Sequence, residues 1–244
     1  MVAREVYLDI YMGDVTERAR AEASYNHTSE LLSKYAVSYA LPFNPEELSE
    51  EQREILRGID KSKVELLFES PAPLLAGRLI FELTEGLART TTNFRALCTG
   101  EKGKCKNARN KDLHYLNTPI HRIARGFIAQ GGDIVKGDGN GGESIYGGDF
   151  KIESEGLKAE PHKGSLGMAS ASTGKNAKNT SQFFVVLTDD ETQLKKLKGR
   201  YVFFGRLKQE PKEGWELLDR LSEAGGTDEK PSVPVWVGGC GICQ

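Results

Sequence analysis

The sequence predicts a mainly β protein: a closed antiparallel barrel with helices over its openings, plus a mostly helical insertion. Three observations carry this prediction. Apolar and polar residues alternate in several short runs, the period of a half-buried strand. Glycine is frequent between those runs, 27 in 244 residues, and only two helical patterns interrupt them, which suits a closed sheet with few helices. Residues 13–75 differ in texture, being charged and helical, whereas residues 1–12 and about 76–244 read as strands punctuated by Gly.

In chain order, Val6, Leu8 and Ile10 alternate with Tyr7, Asp9 and Tyr11 to form the first strand. A helix is then expected from about Glu17 to Val37, with Leu31, Leu32 and Tyr35 as its apolar stripe. A second is expected over about residues 45–58. Asn44 offers a cap, Pro45 suits the first helical position, and Glu46 and Glu47 sit at the positive end of the dipole. Leu48, Ile55, Leu56 and Ile59 share its apolar face. Val64–Phe68 reads as a strand or another helical turn, and Pro71 and Pro73 return the chain to the barrel. These stripes pack on the barrel or receive a protein partner; packing is expected, because a surface helix must bury its apolar stripe.

The strand pattern resumes with Leu79, Phe81 and Leu83 set against Arg78, Ile80 and Glu82. A helix from about Leu87 to Leu97 ends at Gly100. Phe183–Leu187 and Tyr201–Gly205 are rich in β-formers between polar turns. The last helix, about Gly214 to Ala224, places Trp215, Leu218 and Leu221 on one face and stops at Gly225 and Gly226; Val233, Val235 and Val237 then alternate.

Composition excludes several function classes. With 38% hydrophobic and 28% charged residues and a mean hydropathy of −0.46, the chain is that of a globular protein with a real core. A net charge of −2 argues against nucleic acid as a partner, so the basic run from Lys102 to Lys111 reads as a solvated loop. The N-terminus lacks the apolar region of a signal peptide, no apolar stretch reaches the length of a membrane span, and no Cys occupies the prenylation position. The expected location is the cytoplasm. The sequons at Asn26 and Asn179 are then unused, and the four cysteines rest as thiols.

The chemistry-bearing blocks lie in the second half. They are Thr92–Gly103, His121–Asp133 (HRIARGFIAQGGD), Asn140–Gly147, Gly164–Ala169, Asn179–Phe184 and Tyr201–Gly205. Their residues and order closely resemble the cyclophilin-type peptidyl-prolyl cis–trans isomerases. The resemblance implies an eight-stranded antiparallel barrel capped by two helices, formed by residues 1–12 and 76–244, with 13–75 inserted between the first two strands. It implies rotation about X–Pro bonds in peptide and protein clients, with no cofactor and no metal. Arg122 matches the catalytic arginine, Gln130 the residue that steadies it, and Phe127, Ile128, Phe184 and Leu197 the apolar pocket for the proline ring. Gly139, Ala169, Ser170, Ala171 and Gln182 match positions lining the peptide groove. His121 reads as structural, because the reaction transfers no proton to or from carbon.

Several positions depart from the family pattern. Tyr201 stands where the pocket histidine is usual, Ile128 where methionine is usual, and Ser170 where asparagine is usual. The groove tryptophan is missing: Lys196 is the nearest match, and the only tryptophans are Trp215 and Trp236. Weak or no cyclosporin binding is therefore expected. The enlarged loop Lys104–Leu113, the pair Cys98 and Cys240, and Glu143 resemble the divergent-loop subgroup, in which the two cysteines form a redox pair. Inert buried thiols, or zinc held by Cys240 and Cys243 with Cys98 and Cys105, are the rival readings; a lone CxxC is weak evidence for zinc. A second function class stays open on these departures, a module that only holds proline segments and recruits a partner through the insertion.

Overall fold

A computed structural model describes residues 5–170 and 177–243. The chain divides into two compact units, Gly13–Leu74 and the remainder. Among the described residues, no helix is long and apolar enough to cross a membrane.

In the smaller unit, α1 (Val15–Tyr39) starts where the Asp14 carboxylate accepts from Thr16 N and Glu17 N, at 2.7 and 3.0 Å. It runs two residues further at each end than expected. Its buried face is Thr28, Leu32 and Ala36, spaced by four, while Tyr35 turns to Tyr39. The expected helix over 45–58 is corrected. Asn44 and Pro45 begin only a 3-10 turn, Pro45–Glu47, and Leu48 is extended at ψ 128°. The helix proper, α2 (Glu50–Ile59), starts at Ser49, whose hydroxyl accepts from Gln52 N while Gln52 Oε1 accepts from Ser49 N, a reciprocal capping box. Val64–Phe68 forms neither strand nor helix. Phe68 instead plugs a core of Leu32, Ala36, Leu41, Leu48 and Leu56, with the Arg53 and Arg57 guanidinium groups each 5.1 Å from its ring. The apolar residues of this unit thus close a core of their own.

The larger unit contains β1 (Glu5–Met12), β2 (Leu75–Leu83), β3 (Arg122–Ala124), β4 (Ile128–Gly131), β5 (Phe150–Lys151), β6 (Ser165–Met168), β7 (Lys178–Asn179), β8 (Phe183–Val186), β9 (Phe203–Leu207) and β10 (Val235–Ile242). Eight of these form one curled antiparallel sheet, a half-barrel in the order β10-β1-β2-β9-β6-β8-β4-β3, and β5 pairs with β7. The residues leading into β3 lie against the other edge strand. Asn117 N and Ile120 N donate to the carbonyls of Val237 and Val235, and Val237 N donates to Thr118 O. Helices α3 (Ala88–Thr99) and α5 (Glu213–Glu223) correspond to the two expected; a short third, α4 (Glu191–Lys195), adds to them.

Two strands differ from expectation. β9 begins at Phe203, leaving Tyr201 in the approach to it. β10 begins after the exposed Val233 and continues to Ile242, paired with β1 along its length. That continuation lacks alternation because its glycines make room for β1 side chains: a Cβ at Gly241 would lie 2.9 Å from the Tyr7 ring, and one at Gly239 would lie 2.6 Å from Asp9 Oδ2. Inside the curl, Phe94 of α3 meets Tyr115, Phe183 and Phe204 with ring centroids 5.1–5.4 Å apart.

Candidate active site

Strands β4 and β8 bury both faces, and their alternation sorts side chains between two clusters. Ala129, Phe183 and Val185 enter the main core. Ile128, Phe184 and Val186 point the other way, into a second cluster with Ala124, Ala169, Leu197 and Phe203, flanked by Phe127 and Tyr201. The register aligns this outer face into one row: Arg122 pairs with Gln130, Gln130 with Phe184, Phe184 with Gly167, and Gly167 with Phe203. Gly167 is required there, since a Cβ would lie 2.5 Å from Phe184 Cζ. The Phe184 ring lies over that gap and meets Tyr201 and Phe203 edge-on at 5.3 and 5.8 Å.

A polar chain runs beside the apolar patch. Arg122 Nε donates to Glu229 Oε2 at 2.7 Å, and Arg122 Nη1 donates to Gln130 Oε1 at 3.4 Å. Gln130 Nε2 donates to Gln182 Oε1 at 2.9 Å, and Gln182 Nε2 donates to the carbonyls of Gly139 and Gly141. Glu229 is itself held in the left-handed region, φ 60°, where its carbonyl accepts from Ile123 N at 2.7 Å. Arg122 is therefore oriented from both sides, while among the described residues its Nη2 has no hydrogen-bond partner.

The loop carrying Gly139 is set by Asp133, which is buried and accepts from the backbone N–H groups of Val135, Lys136, Gly139 and Gly141. Burial alone would raise its pKa, but these four donors prevail and hold the carboxyl below its ordinary value. His121 packs against the same loop: a Cβ at Gly139, φ 92°, would lie 2.9 Å from its ring. Burial lowers the His121 pKa, which favours the neutral ring, and neither ring nitrogen has a partner among the described residues.

Eleven of the residues singled out in the sequence line one groove of about 870 Å³: Arg122, Phe127, Ile128, Gln130, Gly139, Ala169, Ser170, Gln182, Phe184, Leu197 and Tyr201. Ala171 lies outside the described residues. Sequence reasoning missed Glu229, more than 100 positions from the arginine it holds, and the groove residues Asn140, Gly141, Asp149, Lys178, Thr180 and Arg200. No local pattern marks Glu229; only the fold brings it to Arg122.

A family model described as cyclophilin type peptidyl-prolyl cis-trans isomerase/CLD matches residues 69–242. The chain belongs to this family. As a cyclophilin it is a peptidyl-prolyl cis–trans isomerase and binds proline-containing peptide segments. The match takes in every strand of the cyclophilin sheet but β1, which pairs with β2 on one side and β10 on the other.

Elsewhere in this cyclophilin, Glu143 is buried and its carboxylate accepts from Lys106 N and Asn107 N at 2.6 and 2.9 Å, bracing the loop over residues 104–113. All four cysteines are free. Cys98 is fully buried on α3, and desolvation pushes its pKa well up; burial likewise raises Cys240 to about 12 and Cys105 to about 11. Among the described residues, no three His, Cys, Asp or Glu side chains converge where a metal ion could sit.

Proposed function

We propose that this enzyme turns over exposed X–Pro bonds in client proteins, with the proline ring seated on Phe127, Ile128, Phe184, Leu197 and Tyr201 and Arg122 as the catalytic group. Rotation about the amide faces a barrier of about 18–20 kcal/mol because resonance gives the C–N bond double-bond character. Twisting ends that resonance and returns the lone pair to nitrogen, which becomes a hydrogen-bond acceptor. A fixed guanidinium aimed at that nitrogen stabilises the twisted state over both planar ones, and stays charged at any relevant pH.

One observation carries the reading: Arg122, Gln130 and Phe184 sit in register on three adjacent strands, so the cation and the apolar seat adjoin. Glu229 and Gln130 hold Nε and Nη1 and leave Nη2 free to face a substrate. Gln130, Gln182, Gly139, Ala169, Ser170 and Ala171 are read as the groove for the chain flanking the proline. Nothing in the site favours a module that binds without turnover, because the cation, its supports and the pocket are all in place.

The isomerase domain is read as residues 1–12 with 76–244, and 13–75 as an insertion, because every groove-lining residue falls between Arg122 and Tyr201. Four free thiols fit a reducing, cytoplasmic setting. The decisive experiment compares isomerisation of a short Ala–Pro peptide by the natural protein and by Arg122→Ala. Loss of one well-placed donor to the transition state should cost about 10²–10³-fold in turnover. Equal activity in the two folded proteins would remove Arg122 from the mechanism.

Cyclosporin binding is expected to be weak. No tryptophan reaches the groove: Trp215 Nε1 donates to Lys208 O, and Trp236 lies 5.5 Å from the Tyr11 ring. A nanomolar dissociation constant by titration would contradict this.

A further inference from the structure

Four cations follow one another in the segment that leads from α4 to Tyr201: Lys195, Lys196, Lys198 and Arg200. Two of them do not line the groove, and both have acidic partners: Lys195 with Glu191 at 3.8 Å and Lys198 with Glu160 at 2.6 Å. The two that line the groove, Lys196 and Arg200, have none among the described residues. Lys196 Nζ donates to the neutral Gln193 Oε1 at 2.9 Å and lies 5.9 Å from the centroid of Phe127, a wall of the apolar pocket. Asp190 is close enough for the Lys196 charge to reach its carboxyl, but that carboxylate is engaged in capping α4 through Thr192 N and Gln193 N. Arg200 has no ion pair or side-chain hydrogen bond among the described residues, and the remaining residues contain no Asp or Glu to supply one. The groove's other charges are already matched, Lys178 by Asp149 at 3.1 Å and Arg122 by Glu229. The groove is therefore left with two uncompensated positive charges beside the proline pocket, in a chain whose net charge is −2.

We propose that Lys196 and Arg200 form an anion-recognising rim, so that this isomerase prefers proline segments bearing an acidic or phosphorylated side chain within two residues of the proline. The proposal rests on the reading of the groove as the isomerase site. An extended chain advances about 3.3–3.6 Å per residue, so a charge roughly 6 Å from the pocket wall meets a neighbour one or two positions from the proline. Lysine and arginine both take a single carboxylate, and arginine adds the fork that grips phosphate.

The test uses the full chain and four peptides that differ at one position flanking the proline: alanine, lysine, glutamate and phosphoserine. For each peptide, kcat/KM is measured along with the equilibrium dissociation constant of a fluorescent version, repeated at low and high salt. Partly exposed charge pairs predict a preference for glutamate over alanine of about three- to tenfold, reversed for lysine and shrinking with salt. In Lys196→Gln/Arg200→Gln the same ratio, taken within the variant, should fall to about one. A preference larger for phosphoserine than for glutamate assigns phosphorylated segments as clients; the opposite order assigns acidic ones. A ratio of one in the natural protein, or a ratio that survives the double substitution, overturns the rim. Failure to turn over any of the peptides would instead sink the isomerase reading, and the dissociation constants would then still decide whether the rim selects anions.

Discussion

Replacing Glu229 by glycine separates positioning of Arg122, the proposed catalytic group, from ordinary stability. Glu229 sits at φ 60°, a conformation that costs a non-glycine residue about 1–2 kcal/mol, and glycine removes that strain. Against this gain stand the greater chain entropy of glycine in the unfolded state, about 0.5–1 kcal/mol, and the lost ion pair. The Arg122 and Glu229 side chains are 35% and 51% exposed, so that pair contributes no more than about 1 kcal/mol. These terms nearly cancel, and the melting temperature should move by no more than about 2–4 °C in a chain of this size. Activity should not be spared. Without the acceptor on Nε, the guanidinium is steered among the described residues only by the long contact to Gln130, 3.4 Å, and turnover should fall about three- to tenfold, mainly in kcat. The assay pairs thermal unfolding with kcat and KM on a short X–Pro peptide, and Glu229→Gln, which keeps an acceptor, should recover most of the loss. Unchanged kcat in Glu229→Gly would refute the positioning role; a drop in melting temperature well beyond that range would show that the loss is structural.

Two other predictions follow from the packing. Gly167→Ala forces a Cβ to 2.5 Å from Phe184 Cζ; overpacking of this kind costs about 1–3 kcal/mol, and displacing the ring should raise KM for proline peptides more than it lowers kcat. A KM unchanged in the folded variant would mean that Phe184 does not seat the substrate. The thiols should be sluggish. A pKa of about 12 at Cys240 against an ordinary 9.0 lowers its thiolate fraction at pH 8 by about a thousandfold, so iodoacetamide should label it quickly only in denaturant. Because the folded pKa is raised, the associated stability is complete below pH 9 and declines as pH rises from there toward the folded value. Rapid loss of two thiols and of activity in mild peroxide, abolished by Cys98→Ser and by Cys240→Ser alike, would instead establish Cys98 and Cys240 as a redox pair.

What the sequence determined by itself was local and periodic. Alternation at Val6–Ile10 and Leu79–Leu83 marked strands because one face of each is buried, and Gly100 closed α3 through its left-handed cap, φ 69°. The ordered motif blocks singled out Arg122, Gln130 and the pocket residues because their identities are specific in combination. Wherever the deciding neighbour was distant, the sequence was silent. The glycines that end β10 carry no pattern, since what they accommodate are Tyr7, Asp9 and Tyr11 on another strand. Asn44–Pro45 looked like the start of a helix, yet the better reciprocal cap at Ser49 took that role and left only a turn before it. The apolar stripes of the insertion carried no address, and their closure around Phe68 arises only when α1, α2 and the irregular segment after them meet. In the groove the division is sharpest. Sequence named Arg122 but not Glu229, and named Lys196 as a replaced tryptophan but not as an unpaired charge. Ion pairing is a property of distance across the fold, and only the tertiary structure determines which cations are matched and which are left for a ligand.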